Sequence, residues 1–301
     1  MPLQKISHPI IEDQKVKFYL KREDLLHPYI SGNKIRKLKY NLQQAKLENK
    51  EILLTFGGAY SNHIFALAAA GKEGGFKTIG VIRGEAYHPL NPTLQFAVDQ
   101  GMQLHFLTRQ QYHLKDDPQI LQQLQAIYGD YYLVPEGGSN RFAIPGCAEI
   151  WEDLHEEFNF ISTPVGTGGT LAGLLAGKPA NVNLLGFPVL KNGEYLVAKI
   201  ENLLQESGYI PTKLRPHWQL IHDYHFGGYA KFSKQLIDFI NAFKVEQGVS
   251  LDPVYTGKMM FGLFDLIREG YFPKGSKILA LHTGGLQGIA GFNQRFGHLI
   301  H

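Results

Sequence analysis

The sequence predicts an α/β fold, an open, twisted, mainly parallel sheet architecture flanked by helices. Three observations carry that reading. Short apolar runs alternate with stretches of helical period along almost the whole 301-residue chain. Glycine-rich turns stand where strand-like runs end and helical ones begin. No internal repeat, low-complexity segment or long linker breaks the alternation. Strands separated by helices make parallel βαβ units, and ligands in such sheets lie beyond the carboxyl ends of the strands.

The elements follow in order. Residues 15–20 alternate apolar and polar like a half-buried strand. Residues 33–47 have helical spacing, with Leu38, Leu42 and Ala45 on one side. Residues 51–56 form a buried-type strand ending in Gly57-Gly58, and 61–74 an alanine-rich helix. A strand at 78–82 precedes a helix at 91–100, whose Pro92 suits a first helical position. Strands at 103–107 and 131–134 bracket a helix at 116–128, and a further helix covers 143–157. The second half repeats the pattern. A strand at 160–165 meets a glycine turn at 166–169 and a helix at 170–175, then a strand at 182–187 and a helix at 195–207. Amphipathic helices at 231–247 and 257–268, a strand at 277–282 and a last helix after Gly284-Gly285 complete the chain. Residues 116–118 and 208–216 read as surface connections, and 220–226 as a strand running into glycines.

Composition narrows the function classes. At this length two small domains suit the chain better than one. Basic residues number 30 and acidic ones 27, a net charge of +3, so neither nucleic acid nor an anionic membrane is favoured electrostatically. No apolar run approaches the roughly 20 residues of a membrane span, and Met1 to Glu12 lacks the layout of a signal peptide. A cytoplasmic enzyme is expected. The lone Cys147 can form no intrachain disulfide, which fits a reducing compartment, and it reads as a buried thiol at a helix start. His222 and His225 read as packed or solvated side chains, so no metal is expected.

Several motifs carry chemistry. Val165-Gly166-Thr167-Gly168-Gly169-Thr170 follows a strand and opens a helix. Its glycines let the backbone approach an anion, the helix N-terminus aims amide hydrogens at it, and two threonines add hydroxyls. A phosphate is the natural guest, although a plain strand-to-helix turn has the same composition. The segment lacks the signatures of a nucleotide P-loop and of a dinucleotide fingerprint. In Ser31-Gly32-Asn33-Lys34-Ile35-Arg36-Lys37, Lys34 falls in the first helical turn, where the helix dipole disfavours a cation. A lysine beside an anion pocket can form a Schiff base with a carbonyl cofactor, while a solvated basic turn is the plainer alternative. In Phe56-Gly57-Gly58-Ala59-Tyr60-Ser61-Asn62-His63, Ser61 suits an N-cap, and Ser61, Asn62 and backbone amides could equally grip a carboxylate. Leu251 to Lys258 places Tyr255 just before a helix, and His282-Thr283-Gly284-Gly285 ends a strand.

In this order the segments resemble one family, the 1-aminocyclopropane-1-carboxylate deaminases and D-cysteine desulfhydrases. The resemblance runs over nearly the whole chain. It includes Lys21-Arg22-Glu23-Asp24-Leu25, Gly32-Asn33-Lys34 with Arg36-Lys37-Leu38, and Gly57-Gly58 with Ser61-Asn62-His63. It continues through Gly137-Gly138-Ser139-Asn140, Gly166 to Thr170, Asp252-Pro253-Val254-Tyr255 and His282 to Gly285. It implies two sheets of the tryptophan-synthase β-subunit type, with a large domain at 1–45 and 148–301 and a small one at 46–147. It implies pyridoxal 5′-phosphate as cofactor, a small amino acid as substrate and a homodimer as assembly. By the same resemblance Lys34 is the Schiff-base lysine and Asn62 bonds the ring hydroxyl oxygen. Gly166, Thr167, Gly168, Gly169 and Thr170 hold the phosphate, and Thr283 faces the pyridine nitrogen. Ser61, Asn62 and His63 lie at the substrate, Tyr255 approaches it, and Tyr229 is a second active-site tyrosine.

Two departures bear on substrate. The ring-opening deaminases carry Glu after the tyrosine, and this chain has Thr256, as in the desulfhydrase pattern. A carboxylate beside the pyridine nitrogen would keep it protonated and deepen the electron sink, which a hydroxyl does much less. Tyr60 replaces a common Gln before Ser61. The expected activity is α,β-elimination from D-cysteine to pyruvate, ammonia and sulfide, with Lys34 or Tyr255 removing the α-proton. The alternatives are the cyclopropane substrate, another D-amino acid, or a non-catalytic phosphate-binding α/β protein.

Overall fold

Strand pairing in the computed structural model, which describes residues 3–179, 181–210 and 218–301, produces two sheets. The larger takes the order β1 (Leu3–Ile6), β2 (Lys17–Lys21), β10 (Lys277–Leu281), β7 (Phe160–Val165), β8 (Asn183–Pro188) and β9 (Trp218–Leu220). All neighbours are parallel except β1 against β2. The smaller is wholly parallel, in the order β5 (Met102–Leu107), β4 (Lys77–Arg83), β3 (Ile52–Gly58) and β6 (Tyr132–Val134).

Both sheets are buried on two faces, which explains their near-continuous apolar strands. In β10, Ile278 and Ala280 enter one core cluster with Phe18 and Leu20, and Leu279 and Leu281 enter another with Ile161 and Leu184. In the small sheet Leu53 faces the cluster of Ile64 and Leu67, while Leu54 and Phe56 face that of Val81 and Tyr112. No helix among the described residues is long and apolar enough to cross a membrane.

Among the described residues the α-helices in chain order are α1 (Pro9–Asp13), α2 (Asn33–Leu47), α3 (Asn62–Gly74), α4 (Pro92–Asp99), α5 (Arg109–His113), α6 (Pro118–Tyr128), α7 (Ala143–Ala148), α8 (Gly169–Ala176), α9 (Tyr195–Glu206), α10 (Lys234–Gln247), α11 (Thr256–Arg268) and α12 (Gly288–Phe296). The chain starts in the large sheet, passes through α2 to build the small one, and returns at β7. Helix α2 is tied firmly to the large sheet. The Arg36 guanidinium donates to both carboxylate oxygens of buried Glu23 at 3.0 Å each, and Lys21 lies 3.3 Å from the same carboxylate.

Two expectations are corrected. The helix expected over 143–157 stops at Ala148. Its Gly146 packs so tightly on α2 that a Cβ there would lie 2.0 Å from the Arg36 carbonyl oxygen, and the chain then turns so that the Trp151 indole donates to the Leu174 carbonyl. Cys147 therefore sits near the end of a short helix, not at its start. The strand expected at 220–226 lies earlier, in β9, and residues 223–230 are turns and bends. Phe226, Gly227 and Gly228 all have positive φ, which a strand cannot accommodate. The expected connection at 208–216 falls partly outside the described residues.

Candidate active site

The carboxyl ends of β2, β3, β6, β7 and β10 all point toward one cleft, and the segment after each supplies part of its wall. After β2 the chain reaches Gly32, whose φ is +63°. A Cβ there would lie 1.9 Å from the Thr283 carbonyl oxygen, so only glycine lets α2 begin against the loop that follows β10. The Asn33 amide donates to that same Thr283 carbonyl at 3.3 Å. Asn33 also donates through its side chain to Thr170 Oγ1 at 2.8 Å and accepts from Lys34 Nζ at 2.8 Å. The first turn of α2 is thereby held between the ends of β7 and β10. Burial, and then the Lys37 cation, push the Lys34 amine down to about 7, with Cys147 and Asp252 opposing. Near neutral pH a large share of Lys34 is uncharged.

Lys37 lies one turn further along the same helix and is buried. Its ammonium donates to the Gly137 carbonyl at 3.1 Å, Ser139 Oγ at 2.9 Å and Thr167 Oγ1 at 3.4 Å. All three partners are neutral, and among the described residues no carboxylate pairs with it. Burial lowers it to about 8. The glycine loop stands immediately beside it. A Cβ on Gly169 would lie 2.6 Å from Ser139 Oγ and 3.2 Å from Lys37 Cε. Gly168 caps α8 with φ +87°, and Thr167 and Ser139 share a hydroxyl contact of 2.5 Å. An unpaired buried cation, a glycine loop with no room for side chains and a helix N-terminus together suit a phosphate. A largely neutral buried lysine a few residues away suits an aldehyde. The donor set fits a phosphorylated aldehyde.

The remaining expected residues occupy the same cleft. Ser61 is the N-cap of α3, its Oγ accepting from the amides of His63 and Ile64 at 3.2 and 3.3 Å. Its hydroxyl hydrogen remains available to a ligand. Asn62 accepts from Gln287 Nε2 and lies against Gly285, where a Cβ would sit 2.5 Å from its Nδ2. His63 Nε2 lies 2.9 Å from Thr55 Oγ1, and that hydroxyl already donates to the Val134 carbonyl at 2.7 Å. The imidazole must then donate through Nε2, which leaves Nδ1 as a bare acceptor, buried and without a partner. Burial and the two lysines hold His63 well below its ordinary value, so it stays neutral.

The Tyr255 ring packs on Gly166, where a Cβ would lie 3.2 Å from its Cε1. Tyr229 meets it edge-on, ring centroids 6.1 Å apart. Burial and the Tyr229 hydroxyl raise the Tyr255 phenol well above its usual range. Thr256 does not face the cleft as an independent group. It is buried, its hydroxyl donates to Asp252 Oδ2 at 2.7 Å and accepts from the Asp252 amide at 3.0 Å. Asp252 also accepts from the amides of Val254, Tyr255 and Thr256, closing a cap over the start of α11. Cys147 is fully buried and its thiol is pushed up to about 11 by burial, so it is no nucleophile.

Sequence reasoning gave no role to Lys37, Ser139 or Asn33, although Gly137-Gly138-Ser139 and Gly32-Asn33-Lys34 were both visible as motifs. The signal that identifies them is spatial: Lys37 and Ser139 stand 102 positions apart in sequence.

A family described as pyridoxal-phosphate dependent enzymes matches residues 2–284. The chain belongs to that family. Pyridoxal phosphate is accordingly its cofactor, and the phosphorylated aldehyde that the donor set fits has a name. Among relatives of this pyridoxal-phosphate enzyme, a putative 1-aminocyclopropane-1-carboxylate deaminase of Pyrococcus horikoshii is 33% identical, the match covering 94% of this chain and 88% of the relative. An Arabidopsis thaliana protein named as a bifunctional D-cysteine desulfhydrase and 1-aminocyclopropane-1-carboxylate deaminase is 28% identical, over 90% of this chain and 73% of its own length. A crystal structure of a 1-aminocyclopropane-1-carboxylate deaminase homologue superposes with a TM-score of 0.84 at 31% identity, covering 99% of this chain and 93% of that one. The fold is therefore of the same type, and the enzyme belongs with the deaminases and desulfhydrases of that group.

Proposed function

We propose that the protein is a deaminating lyase that eliminates the β-substituent of a small D-amino acid, with D-cysteine as its first substrate. The overall conversion takes D-cysteine and water to pyruvate, ammonia and hydrogen sulfide. In this reading Lys34 carries the cofactor, Asn62 bonds the ring hydroxyl oxygen, and Thr283 faces the ring nitrogen. Gly166, Thr167, Gly168, Gly169 and Thr170 hold the phosphate, joined by Lys37 and Ser139. Pyridoxal phosphate supplies an electron sink for the pair left behind at the substrate α-carbon.

The chain's own residues divide the remaining work. Ser61, still free to donate its hydroxyl hydrogen, and the Asn62 amide at the start of α3 receive the substrate carboxylate, while the His63 and Ile64 amides hold the Ser61 oxygen in place. His63 stands behind that position, because its buried Nδ1 carries a lone pair and cannot donate to a carboxylate. Lys34, uncharged in large part near pH 7, takes the α-proton. Tyr255 is held neutral by burial, so its hydroxyl is a hydrogen-bond donor to the departing thiolate, with Tyr229 packed edge-on beside it.

One observation carries the choice of substrate. The residue after Tyr255 is Thr256, and its hydroxyl is closed on Asp252, whose carboxylate in turn accepts four hydrogen bonds. No acid stands at that position to protonate the cofactor ring, and a weaker sink favours loss of a good leaving group over opening of a cyclopropane. The names of the relatives favour the second reading, 1-aminocyclopropane-1-carboxylate deamination. Sulfide release from D-cysteine and 2-oxobutanoate release from the cyclopropane amino acid, assayed on one preparation, separate the two. A kcat/KM larger for sulfide supports our reading, and one larger for 2-oxobutanoate overturns it. A homodimer is the expected assembly, testable by light scattering.

A further inference from the structure

Lys258 lies two residues beyond Thr256 on α11 and is 1% exposed. Its ammonium donates to two backbone carbonyls, His225 at 2.9 Å and Gly228 at 2.7 Å. Among the described residues no carboxylate pairs with it. A methionine would fill a similar volume without the desolvation cost of a lone buried cation. Something other than core packing is therefore served by the charge.

The two carbonyls belong to consecutive turns. Gly228 N donates to the His225 carbonyl at 3.0 Å, and Lys231 N donates to the Gly228 carbonyl at 3.1 Å. Both turn-closing oxygens thus converge on the one ammonium. The segment is strained, since Phe226, Gly227, Gly228 and Ala230 all have positive φ, two of them with side chains. One local side-chain bond supports it, from Gly227 N to His225 Nδ1 at 2.8 Å. The residue carried by the second turn is Tyr229, which meets Tyr255 edge-on with ring centroids 6.1 Å apart. The same helix grips the preceding residue run as well. Gly262, one turn beyond Lys258, leaves space for the Tyr224 ring, which a Cβ would approach to 2.7 Å.

We propose that Lys258 is a positioning residue. By tying the turns at 225–228 and 228–231 to α11, it holds Tyr229 in register with Tyr255, which starts the same helix. The two tyrosines are then fixed relative to each other through one rigid element, although they come from distant parts of the chain. This rests on the reading of Tyr255 as the hydrogen-bond donor to the leaving group with Tyr229 beside it, and the test keeps the two claims apart.

The experiment compares Lys258→Met, Lys258→Gln and Tyr229→Phe in the holoenzyme, with cofactor uptake followed by visible absorbance. Amide hydrogen exchange at Gly227, Gly228 and Lys231 is expected to quicken at least tenfold in Lys258→Met, with cofactor affinity within about twofold of wild type. The value of kcat should fall about tenfold with KM little changed, and Lys258→Gln, which keeps a donor, should fall between. The double variant with Tyr229→Phe should be no slower than the worse single one, because both changes remove the same interaction. Unchanged exchange at those three amides overturns the proposal, as does a double variant whose losses multiply. Faster exchange together with a fully active Tyr229→Phe supports the tether and overturns the tyrosine-pair reading instead.

Discussion

Replacing Lys37 with methionine separates a cofactor-holding role from a structural one. In the protein without cofactor, Lys37 is a buried cation whose partners are two hydroxyls and one carbonyl, all neutral. Removing it takes away an uncompensated charge, and methionine fills much of the space. Ser139 and Thr167 still bond each other at 2.5 Å, leaving the Gly137 carbonyl as the main loss. The cofactor-free Lys37→Met protein should therefore unfold at the wild-type temperature or above it. With cofactor the balance reverses. A charge-assisted hydrogen bond contributes about 1.5–3 kcal/mol, so affinity for pyridoxal phosphate should weaken by roughly 10- to 150-fold. The free amine is lowered to about 8, so wild-type affinity should also decline above that pH, and the variant should lack this decline. Thermal unfolding of both forms and an absorbance titration between pH 7 and 9 provide the readouts. Unchanged affinity, or equal loss of stability with and without cofactor, refutes the reasoning.

Three further outcomes follow from the same geometry. Lys34 at about 7, with Lys37 and Lys258 near 8, bind fewer protons folded than unfolded, where the reference value is 10.5. Cofactor-free stability should thus rise with pH from about 7 toward 10.5, and urea unfolding should show a smaller rise in Lys34→Met than in wild type. Thr256→Val removes the hydroxyl bonded to Asp252 at both ends, which should cost about 1–3 kcal/mol in denaturant melts while leaving the ratio of sulfide to 2-oxobutanoate unchanged. Cys147, with its thiol near 11, should resist disulfide-exchange reagents in the native state, and Cys147→Ala should remain active.

Local pattern carried much of the fold. Residues 33–47 and 160–165 have the boundaries that spacing predicts, because their apolar periods are unbroken. Elements whose existence depends on distant partners were not legible. β1 is four residues long and is a strand only because β2 pairs with it antiparallel. The helix expected to reach 157 ends at Ala148, where packing of Gly146 on α2 and the turn to Trp151 outweigh helical spacing. In the cleft the residues within named motifs were visible, but their electrostatics were not. Nothing local to Lys37 shows that it is buried beside Thr167. The tautomer of His63 is set by a hydroxyl eight residues away that is already donating elsewhere. Thr256 is legible as a hydroxyl in place of a carboxylate, but nothing local shows that this hydroxyl is closed on Asp252 in a helix cap.

The central claim is that Lys34 is the cofactor lysine. Borohydride reduction of the holoenzyme, followed by proteolysis and mass mapping, tests it most directly. One pyridoxyl group per chain is expected, on Lys34, with no stable visible band or label in Lys34→Ala. A label on Lys37, on Lys258 or on any other lysine of the wild-type protein would contradict it.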